Sequence, residues 1–188
     1  PYAASKIGAD QLALSFFRSF DLPVTVIRPF NTYGPRQSAR AVLPTVITQL
    51  LSGRKTLELG NITPTRDFNF VEDTVRGFIA ALETDSNKTS GQAINLASQF
   101  EISVEQAIAL ITKITGISAE IRQTSERARP EKSEEDSLFG SNKLARELLG
   151  WAPEYGGLGG FERGLQKTIE WFRQPQNLKK YNPKVYTV

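Results

Sequence analysis

Val24-Thr25-Val26-Ile27-Arg28-Pro29-Phe30-Asn31-Thr32-Tyr33-Gly34-Pro35 is the stretch on which the fold turns. Its first four residues are all β-branched, the composition of a short buried strand. The remainder is dense in turn residues and reads as a loop at the strand's carboxyl end. Upstream, Asp21-Leu22-Pro23 breaks residues 4–20, where Ile7, Leu12, Leu14, Phe16, Phe17 and Phe20 supply the apolar face of a helix. Helix, breaker, strand and loop, in that order, begin an alternation.

The alternation continues downstream. Residues 41–52 predict a helix through Val42, Val46, Ile47 and Leu50, stopped by Gly53. Thr56 to Leu59 predicts a strand ended by Gly60, then a polar loop from Asn61 to Arg66. Phe68 to Val71 reads as extended and residues 72–84 as a helix, with Asp73 near its start where a carboxylate serves free N–H groups. A polar link, 86–91, leads to a strand over Ala93 to Ala97. Ser103 with Gln106 predicts a capping box for a helix over 104–115, whose apolar stripe is Val104, Ala107, Ile108, Ile111 and Ile114. Ala119 to Ile121 reads as a strand, and Thr124 to Ser137 as a polar loop. Ser141 is placed to cap a short helix with Leu144, Leu148 and Leu149, ended by Gly150. From Gly160, the residues Phe161, Leu165, Ile169 and Phe172 share one face of a last helix. Residues 174–188 read as a loosely held tail. Strands alternating with helices predict an α/β fold, and the later helices predict a small, mostly helical lobe.

The composition narrows the chemistry. Of 188 residues, 39% are hydrophobic, enough to build a core and to exclude intrinsic disorder. No run of about 18 apolar residues predicts a membrane span, and no leader pattern opens the chain. With no Cys and no His, disulfides and the usual metal sites drop out, so no metal is expected. Acid–base work falls to Tyr, Lys, Asp or Glu. A net charge of +3 is too small to imply nucleic acid. Arginines scattered in loops suit a small polyanion such as a diphosphate. The chain contains no Met and opens Pro1-Tyr2 directly into a helix, which predicts the C-terminal piece of a longer protein. A cytoplasmic setting is expected.

Four clusters carry the possible chemistry. Tyr2 and Lys6 are four apart, so they share a helix face, and an ammonium beside a phenol stabilises phenolate. That suits a tyrosine base, although a surface Tyr with a solvated Lys has the same spacing. Asn31 lies just past a predicted strand, where α/β sheets bind ligands. It also fits a plain turn. Arg66 precedes an extended segment and is suited to a bidentate phosphate contact, with Asp67 to hold it. A surface Arg–Asp pair looks alike and stabilises little. Arg127 and Arg129, beside Pro130, suit an anion or a solvated loop equally.

Taken in order, the clusters resemble the C-terminal part of the extended short-chain dehydrogenase/reductase family, which contains nucleotide-sugar epimerases, 4,6-dehydratases and decarboxylases. Tyr2-Ala3-Ala4-Ser5-Lys6 resembles its catalytic Tyr-x-x-x-Lys, and Arg28 to Arg36 its strand-end loop. Arg66-Asp67-Phe68 with Val71 and Asp73 resembles its next motif. Arg129-Pro130, Leu149-Gly150-Trp151-Ala152-Pro153 and Thr168-Ile169-Glu170-Trp171-Phe172 resemble its ending.

The resemblance implies the C-terminal portion of a Rossmann-like doubly wound sheet plus a helical substrate lobe. Residues 1–35 and 66–97 would belong to the dinucleotide-binding domain, 36–65 and 98–173 to the nucleotide-sugar lobe, and 174–188 to a tail. Tyr2 would take a proton from a sugar hydroxyl as hydride passes to NAD, and Lys6 would bind the nicotinamide ribose. The backbone of Pro29 and Phe30 would face the nicotinamide. Asn31, Arg66 and Arg129 would meet the diphosphate of a nucleotide sugar, and Ala41 and Val42 would offer N–H groups to a phosphate. Leu57, Glu58 and Leu59 would lie near the base. The family's glycine-rich loop is not in this sequence, so the chain by itself is expected to be inactive. Arg36 to Val42 looks most like 4,6-dehydratase relatives, with 4-epimerase as the alternative. A non-catalytic nucleotide-sugar-binding module and an interaction scaffold are readings from other classes. The full-length protein is expected to form a homodimer, with no nucleic acid or membrane partner.

Overall fold

The computed structural model describes residues 1–124 and 135–181. The helix before the deciding stretch, α1, spans Tyr2–Phe20 and ends on Asp21 in a left-handed conformation (φ 53°). The β-branched run becomes β1, Val26–Pro29. The turn-rich residues after it were expected to form a loop, but Asn31–Tyr33 is a second strand, β2. Its partner is 37 residues downstream: Asn31 pairs in register with Phe68 of β4, Thr65–Phe70. No local signal announces a strand made by so distant a neighbour.

Between them lie α2, Val42–Leu51, and β3, Thr56–Leu59. After β4 come α3, Val71–Glu83, and the short α4, Ser86–Thr89, which occupies the predicted polar link. Then follow β5, Ala93–Leu96, β6, Glu101–Ser103, α5, Val104–Thr115, and β7, Glu120–Gln123. The last elements are β8, Ser137–Leu138, α6, Lys143–Leu149, α7, Gly157–Arg173, and α8, Pro175–Leu178. The fold is mixed α/β with parallel pairing of β1 with β5, β2 with β4, β3 with β7 and β4 with β8, and among the described residues only β6 runs antiparallel, to β4.

Several ends follow the predicted chemistry. The capping box is present: Ser103 Oγ accepts from Gln106 N–H, and Gln106 Oε1 accepts from Ser103 N–H, both at 3.1 Å. Gly116 and Gly150 close α5 and α6 in the left-handed region. Asn142 holds the N-cap position of α6 without a side-chain cap bond, and the Ser141 hydroxyl one residue earlier accepts from the Lys143 N–H at 3.4 Å. Asp73 does not cap its own helix. Its buried carboxylate accepts from the N–H groups of Glu154 (3.0 Å) and Tyr155 (2.9 Å) and pairs with Arg76. Trp151 Nε1–H donates to the Asp73 carbonyl at 3.0 Å, so this corner docks the chain entering α7. The end of the chain is also held through residue 181. Asn177 is buried, and the Tyr181 ring packs on Phe172 at 4.9 Å.

The larger core joins Leu43, Val46, Ile47 and Leu50 of α2 to Phe68 and Phe70 of β4, Ile108 and Ile111 of α5, and Phe161, Leu165, Ile169 and Phe172 of α7. A smaller core lies under β5, with Ile94, Leu96, Ala145 and Trp151. α1 buries none of its residues within the chain: Ile7, Leu12, Phe16 and Phe20 all stay exposed. Its apolar periodicity forecast the helix but not a partner. No helix among the described residues is long and apolar enough to cross a membrane.

Tyr33 stands at the centre of the larger core, its ring within 5.4 Å of Phe70 and 5.1 Å of Phe161, its hydroxyl donating to the Phe161 carbonyl at 3.2 Å. Burial drives its phenol pKa far upward, so it stays protonated. A Cβ on Gly164 would come within 2.1 Å of that hydroxyl. Gly164→Ala is therefore expected to destabilise by about 1–3 kcal/mol through overpacking. Adding Tyr33→Phe, which removes the oxygen, should recover part of the loss. Denaturant unfolding of the two single variants and the double variant measures the coupling.

Candidate functional site

A cavity of about 390 Å³ opens just beyond the carboxyl end of β1, between β2, β4 and the start of α2. Strand alternation explains why β4 contributes what it does. Arg66 and Phe68 turn toward the cavity and Asp67 turns away. The expectation that Asp67 holds Arg66 is therefore corrected. The Arg66 Nη1 donates to its neighbour's carbonyl, Thr65, at 2.7 Å and to Glu135 at 2.8 Å.

Asp67 is completely buried and serves the scaffold. It accepts from Ser98 Oγ–H (2.6 Å) and the N–H groups of Ser98 (2.8 Å), Gln99 (3.1 Å) and Gly140 (3.3 Å). Burial pushes its pKa up, and the hydrogen bonds oppose that shift. Asn31 Nδ2 donates to the Asp67 carbonyl at 3.3 Å, which orients Asn31 at the cavity wall.

The start of α2 forms the facing wall. Ala41 precedes the helix without a side-chain cap, and no acidic residue sits in the first turn. The N–H groups of Val42 and Leu43 have no intrahelical carbonyl to reach, which leaves donors at the positive end of the helix. Thr45 Oγ1–H pins the approach by bonding to the carbonyls of Ala39 and Ala41, both at 2.8 Å. Arg36 takes a left-handed backbone (φ 67°), an uncommon and costly state for a residue with a side chain. Gln37 Nε2 donates to the Thr32 carbonyl at 2.9 Å and lines the cavity.

Of the residues singled out in the sequence, the cavity gathers Asn31, Ala41, Val42, Leu59 and Arg66. Leu57 lies in the larger core and does not reach the cavity. Tyr2 and Lys6 stand apart from it on α1, with Lys6 Nζ 5.4 Å from the centre of the Tyr2 ring and Tyr2 76% exposed. Pro29 closes β1; the Phe30 N–H donates to the Leu96 carbonyl at 2.9 Å and the Phe30 carbonyl accepts from the Thr32 hydroxyl at 3.1 Å, so Phe30 can offer a ligand only the second lone pair of its carbonyl. Arg127 and Arg129 lie outside the described residues. Sequence reading missed Arg40 as a cavity residue, although its place directly before an uncapped helix is the signal that marks it. Gln37, Thr45, Gly60 and Asn61 were also missed, since only the fold brings them to one wall. No cluster of metal-binding side chains occurs among the described residues.

Fold and cavity define an α/β protein whose polar pocket, lined by arginine, asparagine and open helix N–H groups, sits at a strand end. The chain belongs to the GDP-mannose 4,6 dehydratase family, whose model matches residues 1–168, among the extended short-chain dehydrogenase/reductase enzymes that act on nucleotide sugars. It is 31% identical over 186 residues to the dTDP-D-glucose 4,6-dehydratase of Homo sapiens, covering 93% of this chain and 48% of that one. It is 33% identical over 177 residues to the UDP-glucose 4-epimerase of Mycolicibacterium smegmatis, covering 92% and 53%. Its fold matches the crystal structure of the Bacillus cereus UDP-glucuronic acid 4-epimerase in complex with UDP-glucuronic acid and NAD, with TM-score 0.82, 29% identity, and coverage of 93% and 52%. The chain thus spans about half the length of the curated relatives it matches.

Glu101, on β6, closes the strands around Arg66. Its carboxylate accepts from the hydroxyls of Ser137 and Thr65, and these bonds hold its pKa below the ordinary carboxylate value. The folded pKa lies below the unfolded one. Its contribution is therefore present above the unfolded pKa and is lost as pH falls through the folded value. In Glu101→Gln the stability difference from the parent should be present at about pH 7 and shrink as pH falls below the ordinary carboxylate range, as read from denaturant midpoints on both sides of it.

Proposed function

We propose that this chain is the C-terminal, substrate-binding portion of an NAD-dependent nucleotide-sugar 4,6-dehydratase. The observation that carries the reading is the cavity that sets Arg40, Arg66, Asn31 and the open end of α2 around one space. Guanidinium groups and helix N–H groups together suit a diphosphate. The dehydratase reading draws support from the matching family model and from Arg36 to Val42. The 4-epimerase is a second reading, favoured by a relative of that activity at comparable identity and coverage.

NAD, when bound, supplies the hydride acceptor and donor. The shared helix face of Tyr2 and Lys6 fits a cofactor at that end of the molecule, with the Phe30 carbonyl as an acceptor for a carboxamide. The chain's own residues have defined tasks. The Tyr2 side-chain oxygen, in its deprotonated form, takes the proton of the sugar hydroxyl being oxidised, and Lys6, on the same helix face, holds the nicotinamide ribose. Arg66 and Arg40 neutralise the diphosphate, and Asn31 fixes its orientation. Arg129 is assigned to the same anion. The finished enzyme would act as a homodimer.

Titration of the chain with UDP, dTDP and GDP tests the substrate class. Binding of at least one is expected, and Arg66→Ala should weaken it by about tenfold or more, the loss of charge-assisted bonds. Unchanged affinity in Arg66→Ala would remove the diphosphate assignment. In the protein carrying its NAD-binding half, Tyr2→Phe should abolish turnover and leave nucleotide affinity within about twofold. Product analysis separates the readings, since a 4-keto-6-deoxy sugar marks the dehydratase and a C4 epimer the alternative.

A further inference from the structure

Among the described residues β3 has only β7 as a strand partner, and a two-stranded pair is marginal by itself. Alternate residues of β3 face β7. Glu120 N–H donates to Lys55 O at 2.9 Å and Thr124 N–H to Leu59 O at 2.8 Å, so Leu57 and Leu59 turn their peptide groups that way. Glu58 turns the opposite way, toward α2. There the Gln49 side chain meets it with both halves of its amide. Glu58 N–H donates to Oε1 at 3.0 Å, and Nε2–H donates to the Glu58 carbonyl at 3.2 Å. Gln49 is 1% exposed.

We infer that Gln49 is a positioning residue for the cavity wall that faces the nucleotide base, acting through Glu58. Its amide stands where a third strand would stand. It also ties together two walls of one cavity. The helix that carries Gln49 presents Val42 and Leu43 to the cavity about 10 Å earlier along its axis. The strand that Gln49 grips ends at Leu59, and Leu59 lines the cavity together with Gly60 and Asn61, which follow it. The paired bonds fix the gap between helix and strand. With the peptide groups of residues 57–59 engaged by β7 and Gln49, none remains to read a base edge. Discrimination between bases then depends on where this wall stands. The inference rests on the nucleotide-sugar reading of the cavity.

The test is calorimetric titration of the chain with UDP, dTDP, GDP and inorganic pyrophosphate, comparing the parent with Gln49→Ala and Gln49→Glu. Gln49→Ala should lose about five- to tenfold in affinity for the preferred nucleotide. Its discrimination among the three bases should shrink, and its pyrophosphate affinity should stay within about twofold of the parent. Gln49→Glu keeps the acceptor for Glu58 N–H and loses the donor unless protonated. Its nucleotide affinity, relative to the parent at the same pH, should therefore rise as pH falls, and this variant decides the matter if Gln49→Ala does not fold. Unchanged base discrimination in Gln49→Ala, an equal loss of pyrophosphate binding, or a flat pH ratio in Gln49→Glu overturns the inference while the substrate reading stands. If the parent binds none of the three nucleotides, the substrate reading fails and the inference with it.

Discussion

A single buried carboxylate, that of Asp67, organises the region around the cavity. It gathers N–H groups from the end of β5 and from the segment that returns before α6, and its own carbonyl holds Asn31. A carboxylate removed from water costs several kcal/mol unless its lone pairs are satisfied, and here donors from three peptides and one hydroxyl do so. Gln99 adopts a left-handed backbone (φ 56°) where it donates to this group, at a cost of about 1–3 kcal/mol. Because strand neighbours point to opposite faces, anchoring Asp67 on one side commits Arg66 and Phe68 to the other. The composition of the cavity therefore follows from what lies behind it.

Features written in local spacing were legible in the sequence. The capping box at Ser103 and Gln106, the left-handed end at Gly150 and the stripe from Val104 to Ile111 need only their own few residues. The strand at Asn31–Tyr33 was hidden, because its turn-rich composition is overridden by pairing with Phe68–Phe70. The docked end around Asn177 and Tyr181 was hidden for the same reason, since polar composition there conceals packing against Trp171 and Phe172. For the site, motif order picked out Asn31, Arg66, Ala41 and Val42, whereas Arg40 and Gln37 needed the fold to bring them to the wall. Strand parity does not separate Leu57 from Leu59. Both share one face of β3, and only the residue at the strand end reaches the opening.

The two cores carry different tasks. The larger one binds α2, α5 and α7 to the inner strands, and aromatic rings at Tyr33, Phe68, Phe70 and Phe161 fill its middle. That packing fixes the wall formed by α2 against the wall formed by β4. The smaller core under β5 joins the Trp151 corner to the β1–β5 pair, at whose end Phe30 bonds to Leu96. Asp73 connects the two, since its carboxylate receives the chain entering α7 while its carbonyl receives Trp151. One acidic residue and one indole thus tie the two cores together.

The Gln49–Glu58 contact has a consequence for behaviour in concentrated solution. A strand bonded on one side offers its other edge as a template on which a foreign chain can add, the first step of sheet growth between molecules. In a four-residue strand such as β3, the outward peptide groups of Glu58 are the ones such a chain would grasp. A glutamine from the protein's own helix already holds both. One side chain, contributed across a tertiary contact, thereby closes a sheet edge to self-association.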